Sequence, residues 1–297
     1  KAYSYFQNCT TDPAYAPHAT YYKAYIDYTR GDLDAAKSGF ASIAELPAYE
    51  PIIPFYLLQI EFRQGNYAYV VEHGVPLLNK ATGAREIEIA RIMSEAYFRQ
   101  GQYADALAQI ENYEKLGGEM GPEELYLAGY SNYNQLYYTK ASTQLTDVAS
   151  GGGELGQNAA FHLGDCYLKL GDKQKALRAF VLASASDYSP EIKREAMLNA
   201  GKLQYELGGG AFNGAINVLT RYVAQYPDSP RVGEARSLLI AAYYNSNDYD
   251  AAYRAIKSFP TQDADICAAL QKITYFRGLE AYNAGDMRAA QRYLAES

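Results

Sequence analysis

Three histidines (His18, His73, His162) and three cysteines (Cys9, Cys166, Cys267) are the chain's whole supply of imidazole and thiol for metal binding, proton transfer at neutral pH or thiol chemistry, and its many carboxylates read as solvated helix faces and helix starts. Such chemistry needs partners at short, regular spacing, as in His-Glu-x-x-His or Cys-x-x-Cys. Neither pattern occurs, and the six residues are scattered along the sequence. Gly201-Lys202 is followed by Leu203, where a phosphate-binding loop requires Ser or Thr. Gly151-Gly152-Gly153 lacks the preceding strand of a nucleotide-binding loop, and there is no Gly-x-Ser-x-Gly elbow. No catalytic residue, metal site or cofactor is expected, and the chain is read as a non-enzyme. The residue type in excess is tyrosine, 31 of 297, with no tryptophan. Tyrosine supplies rigid amphipathic contact area at low entropic cost, so the chemistry on offer is recognition.

A repeat must position these rings. Gly171-Asp172-Lys173-Gln174-Lys175-Ala176-x3-Phe180 returns as Gly31-Asp32-Leu33-x2-Ala36-x3-Phe40 and Gly101-Gln102-Tyr103-x2-Ala106-x3-Ile110. Later copies are Asn247-Asp248-Tyr249-x2-Ala252-x3-Ile256 and Gly285-Asp286-Met287-x2-Ala290-x3-Leu294. A period of about 35 residues marks stacked two-helix units, none able to bury its apolar face alone. In the clearest unit Leu163 and Tyr167 share one helix face, and Gly164 lets the second helix come close. Gly171 stops the first helix in the left-handed conformation and Asp172 caps the second. The second-helix alanine recurs as Ala36, Ala106, Ala141, Ala176, Ala215, Ala252 and Ala290, with Val70 once.

The turn glycine recurs as Gly31, Gly65, Gly101, Gly171 and Gly285, with Gly208, Gly209 and Gly210 together serving once. Leu136 and Asn247 fill that slot elsewhere. Asn tolerates the left-handed region and Leu does not, so the turn at Leu136 is expected to depart from the others. Ala2-x3-Phe6-x2-Cys9 reads as a lone second helix, and Ser297 falls within another. Residues 1–297 therefore read as one solenoid of about eight repeats after a leading half repeat, with about seventeen helices in all. With Lys1 in place of Met and no polar cap at either end, it is read as a slice of a longer array.

Ala160-x2-Leu163-Gly164-x2-Tyr167, then Gly171-Asp172 and Ala176-x3-Phe180-x2-Ala183, resembles the tetratricopeptide repeat (TPR), with alanine in the first aromatic position. The resemblance implies an all-α, right-handed solenoid whose first helices line a concave face. More narrowly, Asn199-Ala200-Gly201-Lys202-Leu203-Gln204-Tyr205-Glu206-Leu207 with Tyr222-Val223-x2-Tyr226-Pro227-Asp228-Ser229-Pro230 resembles the large multi-repeat proteins of Bacteroidetes-type bacteria. The Tyr-Pro-Asp-Ser-Pro junction is similar to that of cell-envelope repeat lipoproteins of the outer-membrane assembly and Tol-associated kinds. Locally, Pro227 ends one helix while Ser229 is expected to cap the next, with Pro230 in its first turn.

Tyr67, Tyr103, Tyr138 and Tyr249 open second helices and should pack between helices. Tyr97, Tyr167 and Tyr243 fill a large slot late in the first helix and should be buried. One residue further on runs a column: Tyr28, Phe62, Phe98, Tyr133, Leu168, Tyr205, Tyr244 and Tyr282. Earlier on the same helices Tyr21 and Tyr25, Phe55, Tyr126 and Tyr130, Phe161 and Tyr275 share its face. These rings either pack on the adjacent repeat or line a groove for an extended peptide or helix. On the second reading the partner-binding residues are Tyr21, Tyr25, Tyr28, Phe55, Phe62, Phe98, Tyr126, Tyr130, Tyr133, Tyr205, Tyr244 and Tyr282. The Lys/Asn/Arg ladder with which family members grip a terminal carboxylate is absent. Its positions carry Tyr21 and Tyr25, Phe55 and Gln59, then Arg91 and Glu95.

Composition narrows the partner. A net charge of -7 and a pI near 5.1 argue against a nucleic-acid groove. The longest apolar runs, such as Leu238 to Tyr244, are too short to span a bilayer. The expected function is a protein-interaction scaffold with a protein or peptide partner on its aromatic face. The alternatives are a structural spacer and a glycan-binding or envelope-assembly component. The envelope resemblance places the chain in the periplasm or envelope; three dispersed cysteines suit a reducing cytoplasm as the alternative.

Overall fold

The computed structural model describes residues 2–9, 11–208, 212–259 and 264–297. Every regular element among them is a helix, seventeen in number, with no strand among the described residues. The helices form two compact units that divide between Tyr137 and Tyr138. The first holds α1 (Ala2–Cys9), α2 (Ala16–Arg30), α3 (Leu33–Ala41), α4 (Ile53–Arg63), α5 (Tyr67–Leu78), α6 (Ala84–Arg99), α7 (Tyr103–Lys115) and α8 (Pro122–Asn134). The second holds α9 (Tyr138–Ser150), α10 (Gly153–Lys169), α11 (Lys173–Ser184), α12 (Pro190–Leu207), α13 (Asn213–Gln225), α14 (Val232–Asn245), α15 (Tyr249–Lys257), α16 (Ala264–Asn283) and α17 (Met287–Glu296). Within each unit every helix packs on its sequence neighbours. The even-numbered helices also touch one another, α4 on α6 on α8 and α10 on α12 on α14 on α16, so they make one continuous layer in each unit. Charge divides unevenly. Residues 1–137 hold ten Lys and Arg against seventeen Asp and Glu, while residues 138–297 hold seventeen of each.

The turn inside each helix pair is the most regular local feature. At Gly171 (φ 79°) the amide donates to Leu168 O at 3.0 Å and the next amide, Asp172, to Tyr167 O at 2.9 Å. These two bonds satisfy carbonyls that the ending helix leaves open. Asp172 then accepts from Lys175 N at 3.0 Å, and Asp32, Asp248 and Asp286 cap α3, α15 and α17 in the same way.

Leu136 corrects the sequence reading. It adopts the same left-handed conformation (φ 63°), as does Asn247 (φ 58°). Its amide reaches Tyr133 O at 3.0 Å, and Tyr137 N reaches Asn132 O at 2.8 Å. Leucine costs roughly 1–2 kcal/mol in this region. Any other turn would forfeit both hydrogen bonds, and the side chain, 68% exposed, meets no obstacle. The expected turn at Gly209 and Gly210 lies outside the described residues, and Gly208 itself is right-handed (φ -63°).

The small-residue slots form the core. Ala36, Ala106, Ala141, Ala176, Ala215 and Ala252 have no exposed surface, nor does Val70 in the same position. Gly164 faces the ring of Phe180 across α10 and α11 so closely that a Cβ there would sit 2.8 Å from it. The 222–232 junction differs in detail from expectation. Ser229 does not cap α14, which begins at Val232. Its hydroxyl instead meets the buried Tyr222 hydroxyl at 2.8 Å and accepts from Arg231 N at 3.2 Å. A turn from Ser229 to Val232 occupies the place where the helix would have begun.

Candidate interaction face

All twelve candidate residues lie on even-numbered helices, and none is buried. Tyr25, Tyr244 and Tyr282 are exposed; the other nine are half-buried. The column rings do two things at once. One side packs on a neighbouring helix and the rest stays open.

In the first unit the rings gather into two nests. Around α2 and α4, Tyr21, Tyr25 and Tyr28 approach Tyr56 edge-on, with centroids 6.3, 5.9 and 5.7 Å away, and Phe55 lies 5.9 Å from it. The Tyr28 hydroxyl donates to Gln59 Oε1 at 3.1 Å, and the Arg63 guanidinium lies 5.1 Å from the Tyr28 ring. Around α6 and α8, Phe98 meets Tyr126 and Tyr130 at 6.5 and 5.6 Å, Tyr126 stacks on Tyr130 at 5.8 Å, and Tyr133 follows at 6.1 Å. Phe62, between the nests in sequence, sits edge-on to Tyr67. Such arrangements contribute roughly 0.5–1.5 kcal/mol per pair beyond burial, so these rings also bind repeat to repeat.

In the second unit the face is more mixed. Tyr205 leans on Phe212, and its hydroxyl accepts from Asn245 Nδ2 at 2.8 Å. Beside it α12 and α14 are joined by ion pairs: Arg231 reaches Glu195 at 2.6 Å and Glu234 at 2.8 Å, and Lys202 also pairs with Glu234. Tyr244 meets Tyr249 and Phe276 edge-on, while Tyr282 stands open near the end of α16.

Burial, helped by a hydrogen bond with Tyr21, pushes Tyr56 up to about 12, and burial pushes Tyr126 higher still. Arg91 is engaged by Glu88 at 2.8 Å and Arg99 by Glu95 at 3.0 Å. What the face presents is ring surface, phenol hydroxyls and paired charges.

Tyr56 and Phe276 were absent from the sequence column although each is the hub of its nest. They lie six residues before Phe62 and Tyr282, the register also occupied by Tyr22 before Tyr28, and that recurrence is the signal that would have found them. Tyr167 corrects a second expectation. It is half-buried, not sealed, with Lys175 Nζ 5.4 Å from its ring centre. Tyr97 and Tyr243 are likewise half-buried against their cores.

The residues considered for chemistry are dispersed. Tyr49 Oη lies 2.5 Å from His18 Nδ1, His73 stacks on Tyr69, and His162 lies on α10. Cys166 is buried and its thiol is pushed up to about 12 by burial, whereas Cys9 and Cys267 are exposed. Among the described residues no cluster of His, Cys, Asp and Glu could hold a metal ion, and no helix is long and apolar enough to cross a membrane.

Comparison with known proteins begins at the best-formed pair: residues 158–180, running from α10 into α11, match the tetratricopeptide repeat family model. The fold is a tetratricopeptide-repeat solenoid. Residues 195–296, from α12 to α17, match the family described as outer membrane lipoprotein (YfiO). The apo form of RapI is similar at a TM-score of 0.50, with 11% identity over 95% of this chain and 96% of that one. A TPR protein from Parabacteroides merdae is 16% identical over 86% of this chain and 98% of that chain, with a TM-score of 0.47. YrrB, described as a TPR protein with an unusual peptide-binding site, is 15% identical over 78% of this chain and 97% of that chain, with a TM-score of 0.42. No curated protein sequence matches the chain. TPR scaffolds are protein-binding folds and are generally non-enzymatic.

Proposed function

We propose that the chain is an interaction scaffold that takes a segment of a partner protein along the tyrosine-bearing face of its even-numbered helices. The observation that carries this reading is the incomplete burial of all twelve candidate rings. A spacer would seal such rings between repeats or replace them with polar residues. Here Tyr25 and Tyr244 remain 41% and 39% exposed while their neighbours hold them in place. Rigid, half-supported rings of this kind are the usual anchors of protein interfaces, contributing on the order of 2 kcal/mol each.

A photo-crosslinking amino acid at Tyr25 or Tyr244, activated in the native cell, is expected to capture polypeptide. The same group at the exposed Glu72 on α5 is expected to capture none. Equal capture from all three positions, or capture at Glu72 alone, would refute the face. The match of residues 195–296 to an outer membrane lipoprotein family supports an envelope location. Fractionation of native cells checks it: recovery of the chain wholly with cytosolic markers would count against it.

A further inference from the structure

In the second unit a cleft of about 590 Å³ opens between α9 and α11, over the end of α10. None of the twelve candidate residues lines it, and its size falls within the range of small-ligand sites. Its α9 wall is built from hydroxyls with a specific bias. Ser142 Oγ donates to Thr139 O at 2.9 Å, Thr143 Oγ1 to the same carbonyl at 3.1 Å, and Thr146 Oγ1 to Ser142 O at 2.6 Å. Each proton is committed to the helix's own backbone, so these oxygens offer the cleft only lone pairs. Asp147, exposed on the same wall, adds a carboxylate that can only accept. Thr139, at the start of the same wall, keeps a hydroxyl that can donate, but the balance of the wall is accepting and favours a ligand rich in donors, either a polyol or a cation.

The rest of the lining decides between them. The ring of Tyr167 forms the floor beside Leu170 and is only half-buried. Lys175 reaches in from α11, paired with Asp172 at 3.1 Å and with its ammonium 5.4 Å from the Tyr167 ring centre. A second cation would meet that ammonium at the very ring it needs. A neutral sugar would not. Its hydroxyls donate to Thr143, Thr146 and Asp147, one of its oxygens accepts from Lys175, and its C–H face rests on the phenol ring.

We infer that this cleft is a binding site for a neutral saccharide. The test uses the intact chain and saturation-transfer NMR with maltotriose, cellotriose and N,N′-diacetylchitobiose, with trilysine as the competing chemistry. Saturation transfer to the ring protons of at least one saccharide is expected. The exposed pair Thr143→Val with Asp147→Ala should weaken it by about tenfold, the equivalent of one or two lost hydrogen bonds. Tyr167→Ala should abolish it, and Glu72→Ala, at an exposed position on α5, should leave it unchanged. Silence from all three saccharides, an affinity unchanged in the Thr143/Asp147 variant, or preference for trilysine would each overturn the assignment.

Discussion

Gly164→Ala sets two effects of similar size against each other, and the structure decides the sign. Replacing a helical glycine by alanine normally gains roughly 1 kcal/mol through backbone entropy and propensity. At this position the new methyl would lie 2.8 Å from Phe180 Cε1 and 2.9 Å from both Cδ1 and Cζ. Phe180 is fully buried and is itself held edge-on by Phe161, 5.7 Å away, so the ring cannot swing clear. Overpacking of this kind costs roughly 1–3 kcal/mol. The net expectation is a loss of about 1 kcal/mol for alanine, and a substantially larger one for Gly164→Leu. Urea unfolding followed by circular dichroism gives the sign. A double-mutant cycle with Phe180→Leu gives the cause, because a smaller ring-site residue should recover about 1 kcal/mol of the clash. Hydrogen exchange should rise most in α9 to α12, since repeat stacks couple chiefly to neighbours. Gly233→Ala is the control: it lies in the first turn of α14 with nothing within 4 Å of the added carbon, and should be neutral or stabilising. A Gly164→Ala variant that is stabilised as much as Gly233→Ala, or strict additivity with Phe180→Leu, would refute the close-packing argument.

Two further outcomes follow from single positions. Leu136→Gly should stabilise the chain by about 1 kcal/mol in the same unfolding assay, because it relieves a left-handed leucine whose side chain is mostly in solvent. His162 is held down to about 4 by burial, against 6.5 when unfolded. The unfolded chain therefore binds the extra proton first, so the contribution is fully present above pH 6.5 and fades as pH falls toward 4. The total is on the order of 3 kcal/mol. Urea midpoints measured between pH 7.5 and 4.5 should fall more steeply for the native chain than for His162→Phe.

The repeat was legible because its signals are local and redundant. Gly171, Asp172 and Ala176 each state the same helix–turn–helix, and the alanine slot they predict is fully buried in seven of seven second helices from α3 to α15, counting Val70. Leu136 was misread because residue preference was weighed alone, whereas the turn is fixed by two backbone hydrogen bonds that any residue can make. Tyr167 was misread for the opposite reason. Its own helix position says core, but the residues that would cover it are the short hydroxyl side chains of α9, and only the three-dimensional pairing brings those above the ring. The candidate face was found as a column, while its hubs, Tyr56 and Phe276, were not, because ring-to-ring contact depends on which helix comes next to which.

The partition of charge between the two units has a kinetic meaning. Residues 1–137 carry the whole surplus of acidic groups, and residues 138–297 are balanced. A positively charged molecule approaching in dilute salt is drawn toward the first unit, and that acceleration fades once the Debye length shrinks to about 8 Å at physiological ionic strength. Its encounter with the balanced second unit should depend less on salt. A salt titration of association rate thus reports which half of the chain such a molecule meets first.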